Sequence, residues 1–245
     1  MSLEQGKFIS NFLRKEQIMK LEEANQALTH LVNIPFGQLF SQKNLSELRR
    51  NKGKAGQLLE LALGLHLSNT NLDFEDGELK SNKCDKLGDP LETIFITQVS
   101  NMVDELFHNI PFEKTHLFEK IRNILYVPVC KEGNPEEWFF LPSIHVDTQT
   151  DRFAPLLNIW QNDYETICKK LKNDVEHGSD HCIHTANGEQ LQIRSKDSKN
   201  KSGLYNPIFS TTYGRYVSNK NYAFYFQVNC KLNLNTHNQE THSIA

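Results

Sequence analysis

The sequence lacks the features that mark membrane-spanning, secreted and disulfide-stapled proteins. No apolar run approaches the ~18 residues that a membrane span needs, and the opening stretch MSLEQGKFIS has no apolar core of the signal-peptide kind. The five cysteines are scattered and odd in number, and no two of them form a C-x-x-C pair. This usage is typical of free thiols in a reducing compartment, so we expect a cytoplasmic protein without membrane contact.

The chain also lacks a strong charge of either sign. Its formal net charge of -3 provides no general attraction to nucleic acid, so any DNA binding must come from local basic patches. No glycine-rich phosphate loop is present, which argues against ATP use. Histidines cluster with one cysteine at 177–184, but without the spacing of a zinc site, so a polar loop is expected there.

What the sequence does contain is the composition and periodicity of one mixed α/β domain. The chain has 245 residues, of which 38% are hydrophobic and 23% charged, and this is enough to bury a sizeable core. Apolar residues at helical spacing predict helices over about 8–31, 54–66 and 155–177. Runs rich in β-branched or aromatic residues predict strands at 91–99, 124–129, 137–146, 189–194 and 221–229. The tail at 231–245 has little to bury and is expected to fray.

The stretch NLDFEDGELK, at 71–80, concentrates acidic side chains beside a lysine. Its Asp-Gly pair is a turn signal, so we expect Asp73 on an incoming strand to meet Glu78 across the bend. Residues two apart share one face of a strand, which puts Glu78 beside Lys80. Two converging carboxylates suit Mg²⁺, and a lysine on the same face is suited to stabilise charge developing on a phosphate. The pattern therefore predicts a site for metal-dependent phosphodiester hydrolysis.

Two alternatives stay open for this acidic stretch. The same spacing fits an exposed acidic hairpin without a catalytic role, because most E-x-K triplets lie on solvated surfaces. Within the run, Glu75 and Asp76 are also carboxylates that compete with Asp73 and Glu78 as metal ligands. The residues alone do not distinguish these assignments.

Glu60 lies on the predicted helix that precedes the acidic stretch, and this helix is apolar over most of its circumference. Only Gln57, Glu60 and Gly64 form a polar stripe at helical spacing. A carboxylate on a largely buried helix needs a partner such as a metal or a lysine, because an unpaired buried charge is costly. The stripe fits the solvent face of the helix equally well, so both interpretations are kept.

Five stretches of the chain resemble the MutH family of PD-(D/E)xK nucleases, which contains a mismatch-repair strand-nicking endonuclease and type II restriction enzymes that cut GATC. The stretches are RRNKGKAGQLLELALG, LDFEDGELK, PLETIFITQ, THLFEKIRNILYVPV and EQLQIRSK, in family order over residues 49–196. The resemblance implies a restriction-endonuclease-like α/β fold, with a mixed β-sheet flanked by helices and two lobes around a DNA cleft. It also implies Mg²⁺ as the cofactor and double-stranded DNA as the substrate.

The resemblance implies catalytic roles only at matching positions of this chain. Asp73 and Glu78 would be the metal-binding carboxylates, and Lys80 the catalytic lysine. Glu60, on the preceding helix, would complete the active-site acids. Lys120, within FEKIRNIL, falls where the family has a second active-site lysine.

A basic segment at 194–201 supplies the expected DNA-binding residues. The resemblance implies that Lys196 reads bases and that Tyr225 matches an aromatic position near the adenine methyl group. Lys and Arg donors suit both guanine acceptors in the major groove and phosphates, so Arg194, Lys199 and Lys201 are also expected to bind DNA. From composition alone, an ordinary solvated loop looks the same.

The chain departs from the mismatch-repair enzyme in ways that favour a type II restriction endonuclease. The turn between Asp73 and Glu78 looks shorter, Ser195 stands in place of a proline, and the chain beyond Gly203 matches poorly. A mismatch-repair nickase is the alternative within the family, and a non-catalytic DNA-binding protein is the alternative from another class. A restriction system would add a cognate DNA methyltransferase as a functional partner, and GATC is the target only by family analogy.

For domain organisation, we expect one MutH-like endonuclease domain over residues 1–245. Within it, a catalytic lobe would cover about 1–130 and a DNA-reading lobe about 131–230, followed by the frayed tail.

Overall fold

The computed structural model describes residues 19–51, 53–65, 71–230 and 232. This part of the chain contains six α-helices and ten β-strands. The helices are α1 (Leu21–Leu28), α2 (Phe36–Leu39), α3 (Gln42–Leu48), α4 (Lys54–Ala62), α5 (His116–Ile121) and α6 (Ala154–His177). The strands are β1 (Glu78–Cys84), β2 (Ile94–Gln98), β3 (Asn123–Cys130), β4 (Phe139–Phe140), β5 (Ile144–Asp147), β6 (Ala186–Asn187), β7 (Leu191–Ser195), β8 (Ile208–Ser210), β9 (Arg215–Ser218) and β10 (Tyr222–Phe226).

β3 is the central strand of the sheet that carries the acidic stretch. Its sequence NILYVPVC is an apolar run, and every residue after Asn123 is buried, as expected for a strand covered on both faces. β1 lies parallel to β3, with Glu78 opposite Ile124 and Cys84 opposite Cys130. β4 and β5 pair with β3 in the antiparallel direction, so this sheet is mixed.

A second sheet is antiparallel throughout and has the strand order β2-β10-β7-β6. All five residues of β10 are buried, because this strand lies between β2 and β7 in the middle of the sheet. The long helix α6 packs against β6 and β7. β8 and β9 form a separate two-stranded ribbon.

β3 also divides the buried apolar side chains into two cores. Leu125 and Val127 face the first core, which is built with α1 and α4. Ile124 and Tyr126 face the second core, which is larger and is built with α6 and β10. This division follows from the alternation of side chains along a strand. Apolar residues of the segment 94–121 pack in the second core together with α6.

Most of the predicted elements are present, with shifted ends. The predicted helix at 155–177 is α6, and the predicted strands at 91–99, 189–194 and 221–229 are β2, β7 and β10. The predicted strand at 137–146 is divided into β4 and β5 around Pro142, which has no N–H to donate to a sheet. Of the predicted helix at 8–31, residues 8–18 lie outside the described part of the chain. So does the tail expected to fray, apart from Leu232, which is buried.

The predicted acidic hairpin is wrong in its first arm. Residues 71–76 form a series of bends, and β1 pairs in parallel with β3 and not with an incoming strand. The reason is local, because the Phe74 side chain is buried and its N–H donates to the carbonyl of Gly77 at 2.9 Å. The chain therefore closes a tight turn directly before Glu78.

The described residues contain no helix that is long and apolar enough to cross a membrane. The two-lobe arrangement around a DNA cleft, with a boundary near residue 130, stays a prediction. The loop that follows α6 is polar, as expected, and His184 lies beside Asp180 there, with 3.1 Å between Nε2 and Oδ1.

Candidate active site

A cavity of about 760 Å³ lies beside the edge strand β1, and its walls come from α4, β1, β2 and α5. All five residues expected to be catalytic line this cavity. They are Glu60, Asp73, Glu78, Lys80 and Lys120. The fold thus brings together side chains that come from α4, the turn before β1, β1 itself and α5.

Glu78 is the centre of the site. It is the first residue of β1 and is only 2% exposed. Its two carboxylate oxygens accept hydrogen bonds from different ammonium groups, Oε2 from Lys80 Nζ and Oε1 from Lys120 Nζ. Burial raises the pKa of Glu78, and the charge of Lys80 opposes that rise. The site therefore holds one buried carboxylate between two cations from separate elements.

Asp73 and Glu60 add two further carboxylates to the cavity. Asp73 Oδ2 accepts the backbone N–H of Leu79 at 3.0 Å, which fixes Asp73 against the start of β1. Glu60 is partly buried, and its pKa is raised by burial and then by the negative charge of Asp73. Glu60 lines the cavity, whereas Gln57 and Gly64, the other members of the polar stripe, do not.

The two competing acids of the stretch point elsewhere. Glu75 is exposed and does not line the cavity. The Asp76 carboxylate accepts the backbone N–H of Leu21, at the start of α1, at 2.9 Å. Asp73 and Glu78 are therefore the acids of this run that face the cavity, which supports their assignment as ligands over the alternatives.

The donor set of the cavity fits a hard divalent cation. Carboxylate oxygens of Asp73 and Glu78 are the ligands that Mg²⁺ prefers, and Mg²⁺ fills its other positions with water and substrate phosphate. Within the described ranges, no group of three or more His, Cys, Asp or Glu side chains is arranged to hold a metal by itself. Two carboxylates completed by water and phosphate are the arrangement expected for a metal that binds together with its substrate.

Lys196 lies next to the cavity and not in an open loop. Its backbone is just past β7, and its ammonium lies 3.0 Å from the ring centroid of Phe95, a residue of the cavity wall. Although Lys196 as a residue is exposed, burial of its ammonium end and the charge of Lys80 lower its pKa to about 8. The expected base-reading lysine is therefore a neighbour of the expected catalytic lysine.

Arg194 and Tyr225 form a pair on the adjoining strands. The Arg194 guanidinium lies 4.2 Å from the Tyr225 ring centroid and donates to Thr93 Oγ1 at 2.6 Å. Tyr225 is only 8% exposed, so its ring acts as a platform for the arginine. A contribution of Tyr225 to DNA binding stays a prediction.

Lys199 and Lys201 are exposed, and neither lines the cavity. The order of their loop comes from Asp197, whose Oδ2 accepts the backbone N–H groups of Asn206 at 2.7 Å and Asn221 at 2.8 Å. The structure thus separates the basic segment into Lys196, which lies beside the cavity, and two lysines that face solvent.

His116 is a wall residue that the sequence analysis missed. It lies one helical turn before Lys120 on α5, and its Nε2 is 3.2 Å from Thr97 Oγ1. Burial and then the charge of Lys120 lower its pKa, which favours the neutral ring. The spacing of four residues from Lys120 was the signal that would have found it.

Comparison with known proteins shows which family the chain belongs to. No protein-family model matches the chain. The chain is 34% identical over 196 residues to the DNA mismatch repair protein MutH of Vibrio vulnificus, covering 74% of this chain and 77% of the relative. It is 30% identical over 210 residues to the MutH protein of Actinobacillus pleuropneumoniae, covering 79% and 82%. The corresponding values for the MutH protein of Haemophilus ducreyi are 28% over 212 residues, covering 80% and 84%. The chain belongs to the MutH family of PD-(D/E)xK nucleases.

Proposed function

We propose that this chain is a Mg²⁺-dependent endonuclease that nicks one strand of double-stranded DNA at a specific sequence. The observation that carries this proposal is the placement of Glu78 between Lys80 and Lys120 in a cavity that also holds Asp73 and Glu60. Titratable groups that lie in a cleft and whose pKa is shifted by burial and by a charged partner are candidates for a functional site. The relatives, named as DNA mismatch repair proteins, support DNA as the substrate.

In the proposed reaction, water attacks phosphorus, the bond to one ester oxygen breaks, and a proton passes to the leaving oxygen. Asp73 and Glu78 would hold Mg²⁺, which supplies Lewis-acid activation of the phosphate and of water when it is bound. Lys80 and Lys120 now neutralise Glu78, and the same ammonium groups are placed to stabilise negative charge that develops on the phosphate. Glu60 keeps a third carboxylate at the cavity wall, where it can orient water.

Strand nicking is favoured over the restriction activity that the sequence departures suggested. Those departures are the short turn before Glu78, Ser195 in β7 and the chain beyond Gly203, and none of them alters the five residues at the cavity. The relatives that match most of the chain carry the mismatch-repair name. A type II restriction enzyme of the same family is the second candidate, because both activities use the same hydrolysis.

The proposed DNA-reading groups are those nearest the cavity. Lys196 would read a base, and Arg194, held by Tyr225, would contact the adjoining part of the duplex. Lys199 and Lys201 would contact phosphates, which adds affinity without sequence information. GATC is the target that the family suggests.

A supercoiled plasmid that contains GATC sites tests the proposal. Purified protein is incubated with the plasmid and Mg²⁺, with EDTA in a parallel sample, and the products are separated on a gel. Open-circular DNA that forms only with Mg²⁺ supports nicking, and discrete linear fragments support the restriction alternative. Binding without any Mg²⁺-dependent cleavage would support the non-catalytic alternative and reject the proposed function.

A matched pair of variants shows that the cleavage belongs to this site. Glu78→Gln keeps the shape of the side chain but removes the buried charge, and it should abolish cleavage. Glu75→Gln makes the same chemical change three residues away on an exposed side chain and should leave cleavage unchanged. Equal activity in the two variants would place the reaction outside the cavity.

A further inference from the structure

The turn that precedes β1 sets the positions of both candidate metal ligands, because Asp73 lies at its start and Glu78 directly follows its end. Asp76, within this turn, has a carboxylate that faces away from the cavity. Its Oδ1 accepts the backbone N–H of Leu21 at 2.9 Å, and Leu21 is the first residue of α1. One side of the turn is thus tied to a helix whose apolar face is buried in the first core.

A second tie joins the turn to the central sheet. The Asp76 carbonyl accepts a hydrogen bond from Asn123 Nδ2 at 2.8 Å, and Asn123 is the first residue of β3. Asn123 Oδ1 lies 2.7 Å from His145 Nε2 on β5. Since the amide nitrogen of Asn123 is the donor to Asp76, its oxygen accepts from the ring N–H of His145. The side chain of Asn123 is therefore oriented by a neighbouring strand.

The packing around Gly77 leaves no room for a side chain at this position. A Cβ atom at this position would lie 2.6 Å from the carbonyl oxygen of Asn123 and 2.8 Å from Leu21 Cδ1. The same two residues that tie Asp76 by hydrogen bonds therefore also enclose Gly77. Two residues before Gly77, the N–H of Glu75 donates to the carbonyl of Met19 at 3.1 Å. The turn is fixed from the α1 side and from the sheet side together.

We propose that Asp76 is a positioning residue, which anchors the turn so that Asp73 and Glu78 both face the cavity, where they would hold a divalent cation. This inference rests on the proposed function and extends it to an acid that does not face the cavity. The reason is geometric, because a displacement of ~1 Å at a reacting centre costs on the order of 10²-fold in rate. An octahedral ion such as Mg²⁺ tolerates misplaced ligands poorly.

Replacement of the Asp76 side chain separates anchoring from metal ligation. In Asp76→Ala the bond to Leu21 is lost, and we expect the Mg²⁺ concentration for half-maximal cleavage to rise roughly tenfold, as for the loss of a supporting contact around a ligand. KM for DNA should stay the same. Asp76→Asn keeps an oxygen that accepts the Leu21 N–H, so its Mg²⁺ dependence should stay close to that of the wild type. Glu75→Ala is the matched control, because it removes an exposed carboxylate of the same turn without touching an anchor.

The measurements are cleavage rates over a Mg²⁺ series, Mg²⁺ binding by calorimetry with uncleavable duplex, and thermal unfolding of every variant. If Asp76→Ala does not fold, Asn123→Ala serves in its place, because it removes the second tie and leaves Asp76 intact. If Asp76→Asn raises the Mg²⁺ concentration for half-maximal cleavage as much as Asp76→Ala does, Asp76 is a direct metal ligand and the positioning role is overturned. An unchanged Mg²⁺ dependence in folded Asp76→Ala or Asn123→Ala would also overturn the inference.

The result also distinguishes this inference from the proposed function. If the wild-type protein neither cuts DNA nor binds Mg²⁺ in the presence of DNA, both the proposed function and the positioning role of Asp76 are contradicted. If the wild-type protein cuts DNA and the Asp76→Ala and Asn123→Ala variants show an unchanged Mg²⁺ dependence, only the positioning role is contradicted.

Discussion

The catalytic cavity and the basic segment at 194–201 differ in what holds their charged groups. In the cavity, Lys80 and Lys120 share the carboxylate of Glu78, which is only 2% exposed. In the basic segment, Lys199 and Lys201 are exposed, and the surrounding loop is ordered through backbone bonds to Asp197. Charges that are buried and paired are set in place before substrate arrives, whereas exposed charges are free to adapt to it. Changes in the cavity should therefore have large and specific effects, and changes at the exposed lysines should have small and general ones.

The largest effect is expected from Glu78→Ala. It removes a metal ligand and leaves two ammonium groups without their carboxylate, so cleavage should fall by ~10³-fold or more, as for the loss of a preorganised catalytic group. DNA binding should survive or improve, because the loss of a negative charge relieves repulsion from phosphate. Single-turnover cleavage and duplex binding measured in the same buffer check this expectation. Cleavage at a near wild-type rate would remove Glu78 from the mechanism.

The next largest effect on cleavage is expected from substitutions of Lys80 and Lys120. Lys80→Ala should lower the cleavage rate on the order of 10²-fold or more, by the loss of one electrostatic donor at the reacting centre. Lys120→Ala should be milder, because Lys80 remains on Glu78. Lys80→Arg should not restore the rate, since a planar guanidinium does not place a compact charge in the same position. Full activity in Lys80→Ala would contradict the proposed mechanism.

Lys196 lies at the border of the two regions, so it should behave partly like each. Lys196→Ala should lose roughly 1–3 kcal/mol of discrimination between the cognate duplex and a duplex with one altered base pair. Affinities for both duplexes, measured side by side, give this value. Equal losses of affinity for both duplexes would reject base reading by Lys196 and leave it only a non-specific electrostatic contribution.

The lowered pKa of Lys196 adds a pH dependence. Its pKa of about 8 in the free protein means that the ammonium loses its proton as pH rises through 8. DNA favours the charged form, so above pH 8 binding must restore the proton, and affinity should fall up to ~tenfold per pH unit. Lys196→Arg stays charged over this range and should remove the dependence. An identical pH profile for both proteins would show that another group is titrating.

The smallest effect is expected from Lys199→Ala. Its side chain is exposed, and its ammonium lies 5.6 Å from the Tyr205 ring centroid, so the change should hardly affect folding. Binding to every duplex should weaken by a similar factor, and the slope of log affinity against log salt should fall by ~1. A loss confined to the cognate duplex would move base reading to Lys199.

The sequence predicted the cavity residues better than the connections between them. The run NLDFEDGELK placed Glu78 beside Lys80, because side chains two apart share one face of a strand, whereas the choice of Asp73 and Glu78 over Glu75 and Asp76 came from the family resemblance. Asp73, Glu78 and Lys80 all line the cavity. The incoming strand was wrong because burial of Phe74 closes a turn, and a turn signal does not specify what precedes it. Lys120 was placed only through family resemblance, since nothing local predicts that α5 directs it to Glu78.

The sequence did not predict the contacts between distant segments of the chain. The parallel pairing of β1 and β3 joins residues that are 46 apart, as for Glu78 and Ile124, and periodicity carries no information about such pairing. The tie between Asp76 and Leu21 spans 55 positions. His116 is four residues from Lys120 on α5, whereas nothing local in the sequence predicts that Phe95 of β2 lines the same cavity.

The membership of β3 in both cores has a consequence for how the protein opens. Its Leu125 and Val127 pack on one side and its Ile124 and Tyr126 on the other, while β1 covers one edge and β4 and β5 the other. Neither core can open by itself without exposing apolar surface of this strand. The amide hydrogens of β3 should therefore exchange with solvent deuterium only through global unfolding, and at the same free energy whichever core a neighbouring substitution weakens.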